Sequence, residues 1–166
     1  DGNGCVNGDQ VVVTVNSLPT VSAGTDVAVC AGDSAILNGS GAVSYAWDNG
    51  VSDGIPFTPV STATYTVTGT DGNGCENTDQ VDVTINSLPT VGAGADQTVC
   101  EGDPVTVSGT GASSYTWDNG VSDGVAFNAT TTTTYNLTGV DVNGCENTDS
   151  LTIVVEECTG IVEVMN

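Results

Sequence analysis

The side chains in this sequence that could do chemistry are carboxylates, thiols, hydroxyls and amides: its 166 residues include 21 Asp and Glu, 6 Cys and no Lys, Arg or His. Without cations there is nothing to neutralise phosphates, so nucleic acid is excluded as a partner. A polybasic membrane anchor is excluded for the same reason. An imidazole base, a Schiff-base lysine, an arginine clamp and a histidine metal ligand are all missing, which removes most enzyme classes. Two kinds of chemistry stay open, cation ligation by the carboxylates and disulfide formation by the thiols.

The carboxylates fall in Gly-rich turns. Asp48, Asn49 and Asp53 in WDNGVSDG, and Asp71 and Asn73 in DGNG followed by Asp79, set oxygen ligands at alternating positions, as calcium loops do. Asp118, Asn119 and Asp123, with Asp141, Asn143 and Asp149, are the matching sets. No cofactor is required, but bound Ca2+ would relieve a formal charge of −21 that has no internal counter-ion. Against this, Asn-Gly and Asp-Gly are the preferred residues of tight hairpin turns, which asks for no ion at all. Paired carboxylates also serve glycosidases, but such a pair sits in a cleft with one pKa raised by burial. Carboxylates recurring in the turns of small repeated segments do not fit that, and no enzyme is expected.

What positions these residues is a repeat. Residues 1–20, DGNGCVNGDQVVVTVNSLPT, match residues 71–90, DGNGCENTDQVDVTINSLPT, at all but four positions. The same offset of 70 relates YAWDNGVSDG from Tyr45 to YTWDNGVSDG from Tyr115, and TYTVTG from Thr64 to TYNLTG from Thr134. Pro after a Val-rich alternating run marks SLPT as a linker. The expected organisation is therefore a leading fragment 1–17, the last hairpin of a preceding repeat, then repeats over 18–87 and 88–157, and a C-terminal extension over 158–166. Val-rich runs separated by Gly, Asn and Asp turns predict about seven short strands per repeat and no helix, the pattern of an antiparallel sandwich. In the first repeat the expected strands are 27–29, 34–37, 43–47, 55–57, 64–68 and 78–85. The aromatics pair at equivalent positions, Tyr45 with Tyr115, Trp47 with Trp117, Phe57 with Phe127 and Tyr65 with Tyr135, as core residues do. Each Trp is expected to be buried between the sheets.

The order CxGD, GxGAxxYxWDNGVSDG, TxTYxxTGxDxNGCxNTD and LPTVxAG resembles the immunoglobulin-like or PKD-like repeats of large secreted surface proteins of the Bacteroidota. The final ECTGIVEVMN is similar to the junction, in that family, between the last repeat and a sorting domain read by the type IX secretion system. The resemblance implies tandem immunoglobulin-like sandwiches in an elongated, extracellular array. It also makes Ser34 and Ser150 candidates for glycosylation, in the motif Asp-Ser followed by an apolar residue. The eukaryote-type sequons at Asn38, Asn128 and Asn136 are treated as chance.

Six Cys without a CxxC pair or any His read as disulfides, hence an oxidising, extracytoplasmic compartment. No apolar run approaches the roughly eighteen residues of a spanning helix, so membrane insertion is not expected. Asp1 does not open a signal peptide, which suits a mature or excised segment. In an immunoglobulin-like sandwich the turn after the first strand and the turn before the last lie at opposite poles. With about ten residues at about 3.3 Å each in the last strand, the poles are roughly 30 Å apart, too far for a disulfide. Pairing of Cys30 with Cys145 across the repeat junction is therefore expected, with Cys100 capped by Cys158. Cys5 and Cys75 are left for other repeats or another chain. The competing intradomain pairs are Cys30 with Cys75 and Cys100 with Cys145. The function expected is a non-catalytic stalk or filament segment at the cell surface, whose partners are neighbouring repeats or copies of itself. The alternatives are an adhesin whose repeats bind a glycan or host protein, and a filament subunit joined by strand addition.

Overall fold

The computed structural model describes residues 2–4 and 6–158, and all the regular structure among them is β. The chain divides into two compact units, residues 1–27 with 34–84 and residues 28–33 with 85–166. One four-stranded sheet has the order β1-β4-β3-β2, from β1 (Val27–Cys30), β2 (Ser44–Trp47), β3 (Ala63–Thr70) and β4 (Glu76–Asn86). The alternation of Val81 and Val83 with Asp82 and Thr84 sets the face of β4 that turns inward, since side chains along a strand alternate between its faces. Val81 and Val83 are accordingly buried, opposite Tyr65 and Ala63 of antiparallel β3.

The second sheet repeats the order as β5-β10-β9-β7, from β5 (Gln97–Cys100), β7 (Ser114–Trp117), β9 (Thr133–Val140) and β10 (Glu146–Glu156). β5 runs parallel to β10, with Gln97 opposite Ile153, while β9 runs antiparallel to both β10 and β7. A short pair, β6 (Pro104–Val105) with β8 (Phe127–Asn128), forms a separate two-stranded sheet. Val105, Val107, Trp117, Leu137, Leu151 and Ile153 make up most of the buried cluster. A first strand parallel to the last, flanked by antiparallel neighbours, with a buried Trp on the strand beyond, defines an immunoglobulin-like sandwich. Trp47 and Trp117 are 9% and 6% exposed, as the repeat predicts.

Two expected features differ. The strands expected at 34–37 and 55–57 shrink to a single bridge between Ala35 and Phe57. The Leu37 carbonyl instead accepts the Gly54 N–H at 2.8 Å, which closes a turn where a ladder would have continued. Ala35 and Leu37 are buried all the same, so packing rather than pairing holds that segment. Residues 6–18, whose sequence at 76–88 makes β4, form no strand here, and Val11, Val12, Val13 and Val15 are exposed. A strand without a sheet is not stable in water.

Local chemistry agrees with this frame. Asn49 and Gly50 both have positive φ, 52° and 75°, at the centre of a turn closed by Val51 N–H to Asp48 C=O, the signature of a primed hairpin turn. Gly39 leaves room for the Tyr45 ring, whose Cδ1 would lie 2.4 Å from a Cβ there. Leu137 is fully buried in the second core, so Leu137→Ala should cost about 2–5 kcal/mol, read as a lower denaturation midpoint at unchanged slope.

Candidate functional site

The acidic turns are held from within, and each carboxylate has an N–H to accept. Asp48 Oδ1 accepts the Thr66 N–H at 3.0 Å and the Asn49 side-chain amide at 3.1 Å. Asp118 does the same for Asn136 N–H and Asn119. Asp53 Oδ1 accepts the Trp47 indole N–H at 2.9 Å and the Gly39 N–H at 2.7 Å. Asp123 repeats both bonds with Trp117 and Gly109. The second Asp of WDNGVSDG therefore satisfies the polar edge of a buried indole, which would otherwise be costly to bury.

Asp71 and Asp141 shape the loops that present two of the thiols. Asp71 Oδ1 accepts Asn73 N–H at 2.8 Å and Cys75 N–H at 2.9 Å, and Asp141 accepts Asn143 and Cys145 N–H at the same distances. Asp79 and Asp149 reach furthest along the chain, since their Oδ2 atoms accept the N–H of Ala23 at 2.9 Å and of Ala93 at 2.8 Å. Each latches the segment ahead of a first strand onto the start of the last strand. These four carboxyls have pKa values below the ordinary 3.8. The main cause is the N–H of Cys75 for Asp71, of Ala23 for Asp79, of Cys145 for Asp141 and of Ala93 for Asp149, opposed by some desolvation. Hydrogen bonds to the charged form account for the direction. Among the described residues no three His, Cys, Asp or Glu side chains gather where they could hold a metal ion.

The thiols are bonded as the junction argument predicts, Cys30 to Cys145 and Cys100 to Cys158. Neither intradomain pair forms. Cys75, half-buried in its Asp71 loop, is free, and Cys5 lies outside the described residues. Residues 159–166 of the expected C-terminal extension also lie outside them. Ser34 and Ser150 are exposed, Ser150 within β10 opposite Asn136.

The surface concavities are open grooves. One of about 400 Å3, lined by Asn49, Val51, Phe57, Thr58, Pro59 and Tyr65 among others, contains no carboxylate. Another of about 580 Å3 lies over Cys100 and Cys158 beside Asp103 and Glu156. The displaced carboxyls line neither groove, and all four move downward, away from the range of a general acid. Phe57 and Phe127 pack on Tyr65 and Tyr135 with ring centroids 5.3 Å apart, and all eight aromatics are buried or half-buried.

No known protein family and no curated protein sequence matches the chain. Among solved structures it is similar to the titin domains z1z2 in complex with telethonin, at 16% identity and a TM-score of 0.34, over 88% of this chain and 100% of that one. It is also similar to the insect immune protein hemolin, at 18% identity and a TM-score of 0.43, over 89% of this chain and 49% of that one. A third is the N-terminal Ig1-2 module of the Drosophila receptor protein tyrosine phosphatase DLAR, at 16% identity and a TM-score of 0.34, over 84% of this chain and 100% of that one.

The latches make stability depend on pH in a defined direction. A carboxyl whose folded pKa lies below its unfolded value stabilises the fold fully above the unfolded value, and that contribution is lost as pH falls through the folded one. Loss of the general charge of −21 works the other way, because protonation relieves repulsion. The comparison of wild type with Asp79→Asn/Asp149→Asn isolates the latches. The wild type should be the more stable by a constant margin from neutral pH down to about 5, and the margin should shrink below about 4, where unfolded Asp protonates. Denaturant midpoints across that range measure it.

Proposed function

We propose that this chain is a non-catalytic, load-bearing segment of an extracellular protein, built from immunoglobulin-like repeats like those that Bacteroidota export by type IX secretion to the cell surface. The observation that carries the reading is the Cys30–Cys145 disulfide, with a sequence separation of 115. Force applied along the backbone outside it passes through one covalent bond, and residues 31–144 carry none. Two disulfides suit an oxidising, extracellular setting. The partners are then other copies of the repeat. The absence of Lys and Arg supports the same reading, since an exposed fibre with neither offers no site to trypsin-like proteases. An adhesin that stacks glycans would need exposed aromatic faces, and all eight aromatics are already packed.

Pulling single molecules by their ends tests this. The oxidised chain should not release residues 31–144, whereas the reduced chain should gain about 400 Å as those residues extend at up to roughly 3.6 Å each. Equal extension with and without reductant would overturn the load-bearing role.

A further inference from the structure

The two disulfides differ in what can reach them. Disulfide exchange begins with a thiolate attacking one of the two sulfurs, so access to a sulfur is a condition of reaction. In the Cys30–Cys145 bond, Cys145 is fully buried and Cys30 half-buried, which restricts attack to one partly covered sulfur. In the Cys100–Cys158 bond, Cys100 is half-buried but Cys158 is exposed. A concavity of about 580 Å3 touches both of these cysteines beside Asp103, Pro104 and Glu156. A second, of about 320 Å3, touches both beside Glu101 and Glu157. This bond therefore has open space on two sides.

Opening it would leave the surrounding structure tied by other means. β5 pairs with β10 from Gln97 opposite Ile153 to Cys100 opposite Glu156, and Glu101 N–H donates to Glu156 C=O at 3.0 Å. The Cys30–Cys145 bond is untouched by such a step and still encloses residues 31–144. Charge then decides which thiol reacts. Glu101, Asp103, Glu156 and Glu157 around the bond are all exposed, and the chain has no side-chain cation to offset them. A thiolate on an acidic molecule is repelled there, and one set among positive groups is drawn in.

We propose that the Cys100–Cys158 disulfide is an exchange site for a cysteine flanked by Lys or Arg on a partner protein. The partner's thiolate attacks Cys158 Sγ, the more exposed sulfur, and forms a new S–S bond with it. The Cys158–Cys100 bond breaks, and its electron pair leaves on Cys100 Sγ, which takes up the proton that the partner thiol gave up. One disulfide replaces another, so no oxidant or reductant is consumed. The partner is then held at the residue that follows β10, the strand whose entry loop is bonded to Cys30 through Cys145. The inference deepens the load-bearing reading above, since force would pass from Cys30 through Cys145 and β10 to the partner. Exchange is measured without force, so the two can fail separately.

The test incubates the oxidised chain at mildly alkaline pH with two short peptides, one with Cys between Arg residues and one with Cys between Glu residues. Each rate is divided by that of the same peptide with an uncharged small-molecule disulfide. Acid trapping and peptide mapping should find the Arg peptide on Cys158, Cys100 open to alkylation and Cys30–Cys145 intact. The normalised rate should exceed that of the Glu peptide by at least about tenfold. That ratio should fall towards one in about 1 M salt, where the screening length is about 3 Å. Glu101→Gln/Glu157→Gln, which changes only exposed side chains, should lower it at low salt. Equal normalised rates at low salt would overturn the selection of a cationic thiol. Opening of Cys30–Cys145 ahead of Cys100–Cys158 would overturn the site itself. Cysteamine reacting faster than the Arg peptide on the same scale would overturn the protein partner in favour of a small amino-thiol.

Discussion

A chain without a side-chain cation must meet the carboxylates it brings against a sheet with N–H and O–H dipoles, and the latches of the two sheets follow from that constraint. No salt bridge between side chains is possible, so Asp79 and Asp149 bind backbone amides 56 residues away. Asp26 and Asp96 do the same in the opposite direction, accepting the N–H of Asp82 and Thr152 on the last strands. Each repeat thus ties the segment of its first strand to its last through two carboxylates at different heights. Because the partners are backbone amides at fixed positions along the chain, the bonds also impose register, which a flexible lysine would not. The repulsion among 21 carboxylates is left to burial and disulfides to overcome.

The last strand is where these demands meet. β4 and β10, eleven residues each, have a neighbour on both sides, and each carries a latch carboxylate near its start. Each is preceded by a loop that an Asp folds around a Cys. A substitution such as Asp141→Ala would therefore disturb a turn, the entry to the central strand and the placement of a disulfide together. Coupling of that kind makes effects at neighbouring sites non-additive.

Much of this was legible in the sequence, and what was not is instructive. The inward Trp47 and Trp117, the repeat, the sandwich class and the pairing of Cys30 with Cys145 follow from residue period, turn chemistry and topology. The carboxylates were harder, because Asp53 beside an indole and Asp53 beside a cation look the same in one dimension. The N–H that Asp79 accepts belongs to Ala23, and no local pattern announces a partner 56 residues away. The facing strand at 34–37 has the right alternation but lost its ladder to the turn at Gly54. Residues 6–17 are the sharpest case. Nearly the same sequence is a central strand at 76–86 and an exposed segment at 6–16, so strand formation here is decided by the available sheet more than by propensity.

Exposed edges show how such a chain can associate selectively. The sheet edges β1 and β2 are four residues long, as are β5 and β7, while the eight- and eleven-residue strands lie inside. Short edges offer little to a stray strand, and the net charge repels like molecules at distances within the screening length. Any contact between copies would have to be short-ranged and saturable, because long-range charge opposes the approach of like molecules. A β-ladder and a disulfide are both of that kind.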